Sequence, residues 1–597
     1  MFRGKISSLT VDFWVAVDNG RADASQGCTI AKRIQIRLAM ERVVTPSDLR
    51  KLREGPPDYA LIDVREKGEY SLCHLEFASP VPRGDLEWRI REIVPNPAAA
   101  IVLYCSDGRR SRMACETLNE LGYGNVSYLS GGLEAWQSAG YPTLYGWGVP
   151  GKDYGEKIAA FEEIPSITPA DLTARQRKGE EFIVLDVRTA GEYENGHLPG
   201  AHFIPIGQLP LEAIDLIGEE DKTVIVNCAG RTRSILGAHI LRLMGLRKVL
   251  ALIGGTTVWN MVHGYPLERG REMRADRTPS PRASEAAEAV AGRLSAEEGI
   301  PPISLQQLQS LRQSGALHYL IDVRLPREYA AGHIPGAISC QVGLLPLFFE
   351  EIIGVRNAPV IMTCDARVRA TLAASLCRGM GLPNVSFLEG GVIAWTEAGL
   401  PLETGKPSRH VGTPERHVAG FTAARARVKT VAPFALRHRL NRCEGPVILD
   451  VRGGGDYAVG HLQGARWLSR SYLELRIGDL VPDKSMPVAT VCDDGIRSVL
   501  AAATLLDLGY RQVEVLEGGC SAWQAAGYPV EEGLGDAPMS LEEAKGDPFD
   551  PFYERRGRLV ASREEWEKLL AWIEQLGHKF EREKREGSTS GATTNRR

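Results

Sequence analysis

The chain has 597 residues, of which 24% are charged, and its formal net charge at pH 7 is only -4. A nearly balanced charge argues against nucleic acid or a membrane surface as a partner and favours small molecules or proteins. No stretch of the sequence approaches the ~18 apolar residues of a membrane-spanning helix, so we predict a cytoplasmic protein.

One set of landmarks occurs four times along the chain with fixed spacing. An Asp-Val-Arg ends an apolar run, a cysteine follows 42 positions after the Asp, a Gly-Gly pair starts 26 positions after the cysteine, and a tryptophan stands 73 positions after the Asp. The four sets of Asp, Cys, first Gly and Trp are Asp63, Cys105, Gly131 and Trp136; Asp186, Cys228, Gly254 and Trp259; Asp322, Cys364, Gly390 and Trp395; and Asp450, Cys492, Gly518 and Trp523. Units of roughly 100 residues are the size of a domain and too long for a solenoid repeat. The sequence therefore predicts four copies of one domain.

The landmarks divide the chain into domains, linkers and two extensions. The predicted segments are an N-terminal extension (1–43), four domains (44–144, 166–268, 302–403 and 430–532), three linkers (145–165, 269–301 and 404–429) and a C-terminal extension (533–597). The first linker is rich in glycine and aromatic residues, whereas the second is charged and contains Pro279 and Pro281. We therefore expect the second linker to be flexible and to separate two pairs of neighbouring domains. The C-terminal extension is expected to form one amphipathic helix, capped by Ser562 and Glu565, and a disordered tail.

The first elements of each domain follow one pattern. A helix start, with Thr45 and Thr168 as N-cap candidates, precedes two apolar, strand-like runs, of which one ends at the Asp and the other leads into the cysteine. The amphipathic helical pattern behind each cysteine ends in glycine. This alternation predicts an α/β fold of four tandem domains, each a small parallel sheet flanked by helices. The cysteine then lies at the carboxyl end of a strand, where such sheets bind ligands.

Each cysteine opens a six-residue loop that an arginine closes. The loops run from Cys105 to Arg110, from Cys228 to Arg233, from Cys364 to Arg369 and from Cys492 to Arg497. A short turn from a strand into a helix directs backbone N–H groups inward, and the helix N-terminus adds partial positive charge. Such a nest of N–H groups favours a thiolate and would hold an added sulfur atom as an anion. A single cysteine of this kind is more often a buried structural residue, but four in one register favour a reactive site.

The combined motifs resemble the rhodanese domain. They are Asp-Val-Arg, Glu-Tyr-x-x-Gly-His-x-x-Gly-Ala, Cys-x-x-x-x-Arg and Gly-Gly-x-x-x-Trp-x-x-x-Gly-x-Pro, and the regions that carry them cover about two-thirds of the chain. The resemblance implies that the loop cysteine takes a sulfane sulfur from a donor such as thiosulfate, becomes a persulfide and passes the sulfur to cyanide, a thiol or another thiophilic acceptor. No Cys-x-x-Cys, histidine-cluster or Gly-x-Gly-x-x-Gly motif in a suitable context indicates a metal or a nucleotide, so we predict no cofactor and no metal. Phosphatases and arsenate reductases related to this family have a loop one residue longer, so the loop length favours sulfur chemistry.

The second copy matches the motifs best, and Cys228 is therefore the predicted principal nucleophile. Cys105, Cys364 and Cys492 are predicted to be secondary or relay sites. The candidate substrate-binding residues are Ala229, Gly230, Arg231, Thr232, Arg233 and Ser234 of the second loop, Arg188, and the loop-closing Arg110, Arg369 and Arg497. Formal loop charges of +1, +2, +1 and -1 predict that an anionic donor prefers the second site and avoids the fourth, where Asp493 and Asp494 follow the cysteine.

Three other features have structural interpretations. The histidine of each Gly-His turn, the Asp and Arg of each Asp-Val-Arg, and the tryptophan after each Gly-Gly are expected to support the fold rather than the chemistry. In the first copy Cys73 and Phe77 replace two motif glycines, so we expect the turn there to differ.

Two functions remain open at this point. One is a thiosulfate-type sulfurtransferase that turns over small molecules. The other is a persulfide carrier or scaffold that delivers sulfur to thioredoxin-like or other sulfur-acceptor proteins, with little turnover on free thiosulfate. Turnover on small molecules would distinguish them.

Overall fold

The computed structural model describes residues 42–218, 222–270, 278–405, 420–493, 495–535, 537, 571, 574–575 and 577–584. Within these ranges no helix is both long and apolar enough to cross a membrane. The predicted cap at Ser562 and Glu565, the predicted tail and nearly all of the N-terminal extension lie outside them. Residues 574–575 and 577–584 of the C-terminal extension are helical.

Each domain contains a five-stranded sheet in which all paired strands run parallel, so the predicted fold class is confirmed. The strands are β1 (Arg42–Val44), β2 (Tyr59–Asp63), β3 (Ser79–Pro80), β4 (Ala100–Tyr104) and β5 (Val126–Leu129) in the first domain; β6 (Ser166–Ile167), β7 (Phe182–Asp186), β8 (His202–Phe203), β9 (Thr223–Asn227) and β10 (Val249–Leu252) in the second; β11 (Pro302–Ile303), β12 (Tyr319–Asp322), β13 (Ile338–Ser339), β14 (Val360–Thr363) and β15 (Val385–Leu388) in the third; and β16 (Lys429–Val431), β17 (Val447–Asp450), β18 (His461–Leu462), β19 (Arg466–Trp467), β20 (Val488–Val491), β21 (Val513–Leu516) and β22 (Val530–Glu531) in the fourth. The order across the first sheet is β1-β5-β4-β2-β3, and the other three repeat it, while β18 and β22 form a separate antiparallel pair.

Helices cover the sheets on both faces. Those of the four domains are Pro46–Glu54, Lys67–Leu72, Leu86–Ile93, Arg109–Glu120 and Gly132–Ser138; Pro169–Arg177, Ala190–Asn195, Leu209–Ile217, Thr232–Leu243 and Gly255–Thr257; Leu305–Gln313, Pro326–Ala331, Leu345–Phe348, Val368–Gly379 and Gly391–Glu397; and Pro433–Asn441, Gly454–Val459, Leu473–Leu480, Ile496–Asp507 and Gly519–Ala525. Single 3-10 turns occur at Arg83–Asp85, Ile206–Gln208, Val342–Leu344, Phe349–Glu351 and Arg470–Tyr472, and a π turn occurs at Val258–Val262. That π turn takes up the one extra residue that the second copy has between its tryptophan and the following glycine.

Local sequence signals set the ends of these helices. Thr45 and Thr168 cap their helices as predicted, because each hydroxyl accepts a hydrogen bond from a backbone N–H three residues on, at 3.1 Å. The helix behind each cysteine ends at a glycine in the left-handed region, as at Gly122 (φ 92°) and Gly245 (φ 94°).

The structural interpretations of the tryptophans and histidines are confirmed. The four tryptophans are at most 5% exposed, and each donates its indole N–H to a proline carbonyl, as Trp259 does to Pro266 at 2.8 Å. Each motif histidine stacks on a tyrosine ring and bonds that tyrosine's carbonyl through Nδ1, as His197 does with Tyr193 at 2.8 Å. These rings therefore stabilise the start of the motif turn.

The turn in the first domain keeps the shape of the others, so the expectation that it differs is wrong. Phe77 takes a left-handed φ of 60°, close to the 70° of Gly200 at the equivalent position. This conformation costs a non-glycine residue roughly 1–2 kcal/mol. The Phe77 ring lies 3.3 Å from the guanidinium carbon of Arg356 in the third domain, and this cation–π contact offsets the backbone strain.

The first linker is largely a helix, which we name the first joint helix (Val149–Phe161). Its first turns are buried, and a side chain at Gly151 would overlap the carbonyl oxygen of Pro346 in the third domain. The glycines of this segment allow backbone to approach backbone closely.

The second linker also contains a packed helix, the second joint helix (Pro281–Glu297), so the prediction of a flexible linker is wrong for residues 281–297. The helix lies between Leu209–Ile217 of the second domain and Val368–Gly379 of the third. Its buried face is made of Ala283, Ala287, Val290, Ala291 and Leu294. The small alanine side chains allow the helix to pack closely. A segment rich in alanine and charged residues has, however, the composition typical of a flexible linker, which explains the wrong prediction. The third linker ends likewise in a helix, Phe421–Arg427, packed on Ile496–Asp507.

The domains pair in a nested order rather than as sequence neighbours, which corrects the expected two pairs. The turn Arg83–Asp85 of the first domain lies against Arg470–Tyr472 of the fourth, and Ile206–Gln208 of the second lies against Val342–Leu344 of the third. These four turns occupy the same position in their domains. The pairs are therefore domains 1 and 4, the outer pair, and domains 2 and 3, the inner pair. Many buried apolar residues of the first three domains also form one continuous cluster, while others form a separate cluster centred on each domain.

Candidate active site

All four loop cysteines lie at the carboxyl end of a strand, as predicted. β4, β9, β14 and β20 each end one residue before a cysteine, and a helix begins four residues after it. The cysteines are at most 2% exposed. Each thiol is therefore at the base of a loop that joins an interior strand to a helix N-terminus.

The Gly-Gly segment packs against the backbone of the cysteine loop and holds it in place. The residue after the second glycine donates its N–H to the cysteine carbonyl at 2.8 Å in all four domains. In the second domain an added Cβ at Gly255 would overlap the carbonyl oxygen of Cys228, well inside the 3.0 Å that real Cβ contacts keep, and Gly255 has a φ of 50°. Gly132, Gly391 and Gly519 lie equally close to their cysteines. Only glycine fits these positions without moving the loop.

The loops fall into two classes that follow the domain pairs. In the outer pair the fourth loop residue is a left-handed glycine, Gly108 (φ 93°) or Gly495 (φ 92°), and its N–H points at the cysteine Sγ from 3.1 Å. The N–H groups of Ser111 and Ser498 lie 3.4 Å from the same sulfur atoms. Two backbone donors thus converge on Sγ at Cys105 and Cys492, which is the predicted nest.

In the inner pair an arginine with a negative φ replaces that glycine, and a glutamate of a joint helix pairs with the arginine. Arg231 (φ -143°) pairs with Glu156 of the first joint helix at 2.6 Å, and Arg367 (φ -145°) pairs with Glu288 of the second joint helix at 2.6 Å. The Ser234 hydroxyl lies 3.5 Å from Cys228 Sγ. The two joint helices therefore cover the loops of the domains that follow them.

The other predicted substrate-binding residues of the second loop either line the loop or support its backbone. The Ala229 carbonyl accepts the Thr257 N–H at 3.1 Å, and Thr232 packs against Gly155 of the first joint helix. A side chain added at Gly230 would meet no atom within 4 Å. Gly230 is thus at the open part of the loop.

The loop-closing arginines of the first three domains are held by a glutamate 41 positions earlier. Arg110 pairs with Glu69, Arg233 with Glu192 and Arg369 with Glu328, each through two hydrogen bonds of 2.6–2.9 Å. The guanidiniums of Arg233 and Arg188 hold the pKa of the buried Glu192 at about 2, despite the opposing effect of burial. These arginines fix the loop to the helix that carries the glutamate.

The two side-chain hydrogen bonds of Arg233 go to Glu192 rather than to Cys228. Arg188 is 2% exposed, pairs with Asp186 at 2.8 Å and donates to the Gly196 carbonyl at 2.6 Å. The structural interpretation of the Asp-Val-Arg pair is thereby confirmed. Arg188, Arg233 and Arg369 all line one cleft between the second and third domains.

The net charge around each loop differs from its formal charge, because charged side chains outside the loop pair with those in it. In the second loop Glu156 and Glu192 neutralise both arginines. In the fourth loop Arg452 pairs with Asp493 at 2.9 Å, while Asp494 lies outside the described residues. Formal loop charge therefore omits charges contributed by distant parts of the chain, and the ranking of donors based on it stays a prediction.

The third site differs chemically from the other three. Ala370 stands where the others have serine, so no hydroxyl faces Cys364 from that position. Burial, and then the neighbouring Asp365 carboxylate, raise the pKa of Cys364 to about 12. At neutral pH this thiol is almost entirely protonated and a poor nucleophile.

We therefore expect Cys364 to react much more slowly with iodoacetamide than Cys228, Cys105 or Cys492 in the folded chain at about pH 8. Its rate should continue to rise with pH well above 9, since its thiolate fraction grows up to a pKa of about 12. Peptide mapping of the labelled chain over a pH series measures this. Equal labelling of all four cysteines at about pH 8 would contradict it.

Among the residues that the structure describes, no group of three or more His, Cys, Asp or Glu side chains is placed to hold a metal ion.

Comparison with known proteins agrees with this architecture. The family model of the Rhodanese-like domain matches residues 45–139, 168–261, 304–398 and 435–526, which is more than half of the chain. The chain therefore belongs to the rhodanese-like family. A crystal structure of thiosulfate sulfurtransferase from Pseudomonas aeruginosa is 30% identical, covers 90% of this chain and 99% of its own, and superimposes with a TM-score of 0.72.

Curated relatives match parts of the chain. Thiosulfate sulfurtransferase GlpE of Pseudomonas putida is 35% identical over 100 residues, which are 16% of this chain and 86% of the relative. Thiosulfate sulfurtransferase of Azotobacter vinelandii is 26% identical over 280 residues, which are 39% of this chain and 95% of the relative. The family and these relatives support sulfur transfer as the class of reaction.

Proposed function

We propose that the chain transfers sulfane sulfur from thiosulfate, or a similar anionic donor, to a thiophilic acceptor through a cysteine persulfide. The observation that carries this proposal is the nest at Cys105 and Cys492, where two backbone N–H groups converge on Sγ. Donors in this position stabilise a thiolate, and after sulfur addition they stabilise the anionic persulfide.

The reaction takes two displacement steps. The cysteine thiolate attacks the outer sulfur of thiosulfate, the S–S bond of the donor breaks, and sulfite leaves with the bonding electron pair. Cyanide or a thiolate then attacks the outer persulfide sulfur, the bond to Sγ breaks, and the cysteine thiolate is restored. No external oxidant or reductant is needed, because in each step the bonding electron pair stays with the leaving group and the sulfur is transferred as a neutral atom.

We assign sulfur transfer to Cys228, Cys105 and Cys492, with Cys364 as the weakest site. At Cys228 a serine hydroxyl faces the sulfur, as at Cys105 and Cys492. The arginines of the second loop act in this scheme by fixing its shape rather than by charge, because both are paired with glutamates. The candidate acceptors remain small thiols, cyanide, and thioredoxin-like or other sulfur-acceptor proteins.

The test is site-resolved mass mapping of the full chain after incubation with thiosulfate and then with cyanide. We expect one added sulfur at Cys228, Cys105 and Cys492, lost on cyanide treatment with formation of thiocyanate. A variant with all three cysteines changed to serine should form no thiocyanate above background. Cys115→Ser serves as the control, since Cys115 is a buried cysteine within a helix, outside the loops.

Two outcomes discriminate between the open functions. If sulfur is loaded but cyanide does not remove it, the chain is a carrier that needs a protein acceptor. If none of the three cysteines gains sulfur from thiosulfate, the proposed donor class is wrong.

A further inference from the structure

The fourth site lacks the glutamate that holds the loop-closing arginine elsewhere. In the first three domains the residue 41 positions before that arginine is a glutamate, and it receives both guanidinium hydrogen bonds. In the fourth domain this position holds Asp456, whose side chain is one methylene shorter. Arg497 donates two hydrogen bonds to Asp85 of the first domain, Nε to Oδ1 at 2.7 Å and Nη2 to Oδ2 at 3.0 Å.

Asp85 is held in place by the interface of the outer pair. It ends the turn Arg83–Asp85, whose Gly84 N–H donates to the Ser471 hydroxyl at 3.0 Å. A side chain at Gly84 would come within 3.1 Å of Arg470 Cβ, so the two turns are in close contact. Arg83 also pairs with Glu474 at 2.5 Å. Docking of the first domain therefore presents the Asp85 carboxylate to the fourth domain in one position.

At the same interface, the fourth domain also contacts the loop-closing arginine of the first domain and its glutamate partner. Tyr472 of the fourth domain donates its hydroxyl hydrogen bond to Glu69 at 2.8 Å, and its ring lies 4.2 Å from the Arg110 guanidinium. Glu69 is the carboxylate that holds Arg110. Each outer domain thus contacts the arginine that closes the other's loop.

Arg497 is adjacent to the groups that face the reactive sulfur. It is the second residue of the helix Ile496–Asp507, and its neighbours Gly495 and Ser498 direct their N–H groups at Cys492 Sγ from 3.1 and 3.4 Å. An arginine fixed by two charge-assisted hydrogen bonds fixes this first helical turn and therefore the direction of both donors.

We infer that Asp85 of the first domain is the positioning residue of the Cys492 site, so that the fourth site is complete only when the outer pair is docked. The inference rests on the proposed function for its role in sulfur transfer. Its structural content, that Asp85 sets the geometry around Cys492, can be measured separately.

The test uses the full chain and four variants: Asp85→Asn, Asp456→Glu, both changes together, and Glu87→Gln. Glu87 pairs with Arg470 across the same interface at 2.5 Å, and among the described residues it forms no hydrogen bond or ion pair with Arg497. Glu87→Gln therefore controls for a weakened interface. Asp456→Glu restores the glutamate present in the other three domains. Two rates are measured by peptide mapping: sulfur loading of each cysteine from thiosulfate, and alkylation of each cysteine by iodoacetamide.

We expect Asp85→Asn to slow both reactions at Cys492 roughly ten- to hundredfold, the loss typical of a charge-assisted hydrogen bond. Cys228 should be unaffected. Adding Asp456→Glu should restore Cys492 to within about threefold of the parent chain, because a glutamate at this position holds the loop-closing arginine in the other three domains. Glu87→Gln should stay within about twofold. A purely structural role of Asp85 at the interface would not be rescued by a change at position 456.

Cys492 rates that are unchanged in Asp85→Asn, or a double variant that shows no rescue, would overturn the inference. Loss of Cys492 alkylation in Glu87→Gln equal to that in Asp85→Asn would do so as well, since the effect would then belong to the interface. If no cysteine of the parent chain loads from thiosulfate, the proposed function fails, while the alkylation rates still decide the role of Asp85.

Discussion

Arg233→Ala should destabilise the second domain by about 3–5 kcal/mol, the usual cost of leaving a buried charge without its partner. The charge is the Glu192 carboxylate, which is 2% exposed and takes both of its guanidinium hydrogen bonds from Arg233. Hydrogen exchange of the amides in Thr232–Leu243 measures the local effect. Combining Arg233→Ala with Glu192→Gln should recover more than half of the loss, because no buried charge remains.

The pH dependence of the same variants gives an independent check. In the parent chain the pKa of Glu192 is about 2, below its ordinary 4.5, so its stabilising contribution is complete above about pH 4.5 and is lost as the pH falls toward 2. Without Arg233, burial should place the pKa of Glu192 above its ordinary value, and the variant should then lose stability as the pH rises above about 4.5. A variant that follows the same pH dependence as the parent would contradict this account of Arg233.

Gly255→Ala should slow sulfur loading at Cys228 about a hundredfold while Cys105 and Cys492 load normally, since a displacement near 1 Å at a reacting group can have this effect. The added Cβ overlaps the Cys228 carbonyl oxygen, so the loop has to move. Peptide mapping after thiosulfate treatment measures all three sites in one sample.

The matched control is Gly264→Ala. Gly264 has a similar positive φ of 66°, but an added Cβ there would meet no atom within 4 Å. It should lower stability by roughly 1 kcal/mol through backbone strain and leave loading at Cys228 unchanged. If both variants impair Cys228 equally, backbone strain rather than the clash with the loop is responsible.

The features of the fold that depend on short-range sequence patterns could be predicted from the sequence. The N-cap at Thr45, the strand before Cys105 and the glycine after the following helix all follow from short-range preferences, and the fourfold repetition made each more certain. The pairing of Glu192 with Arg233 could also have been found, because the same spacing of 41 residues recurs in three copies.

The carboxylate partners that distant segments provide for the loop arginines could not be predicted from the sequence. Glu156 and Glu288 are ordinary helix glutamates until the joint helices dock, and Asp85 lies 412 residues from Arg497. No local pattern indicates such contacts, and composition alone suggested that the second joint helix was a flexible linker. The formal loop charges omitted these contacts for this reason.

The nested order of the domains has a consequence for synthesis on the ribosome. At roughly 5–20 residues per second, the 412 residues between Asp85 and Arg497 take about 20–80 s to translate. During that interval the first domain emerges without the partner for its turn Arg83–Asp85, whereas the second and third domains can associate as soon as the third is complete. The inner pair should therefore assemble first, and a chain terminated before the fourth domain leaves the outer face of the first domain uncovered and prone to association.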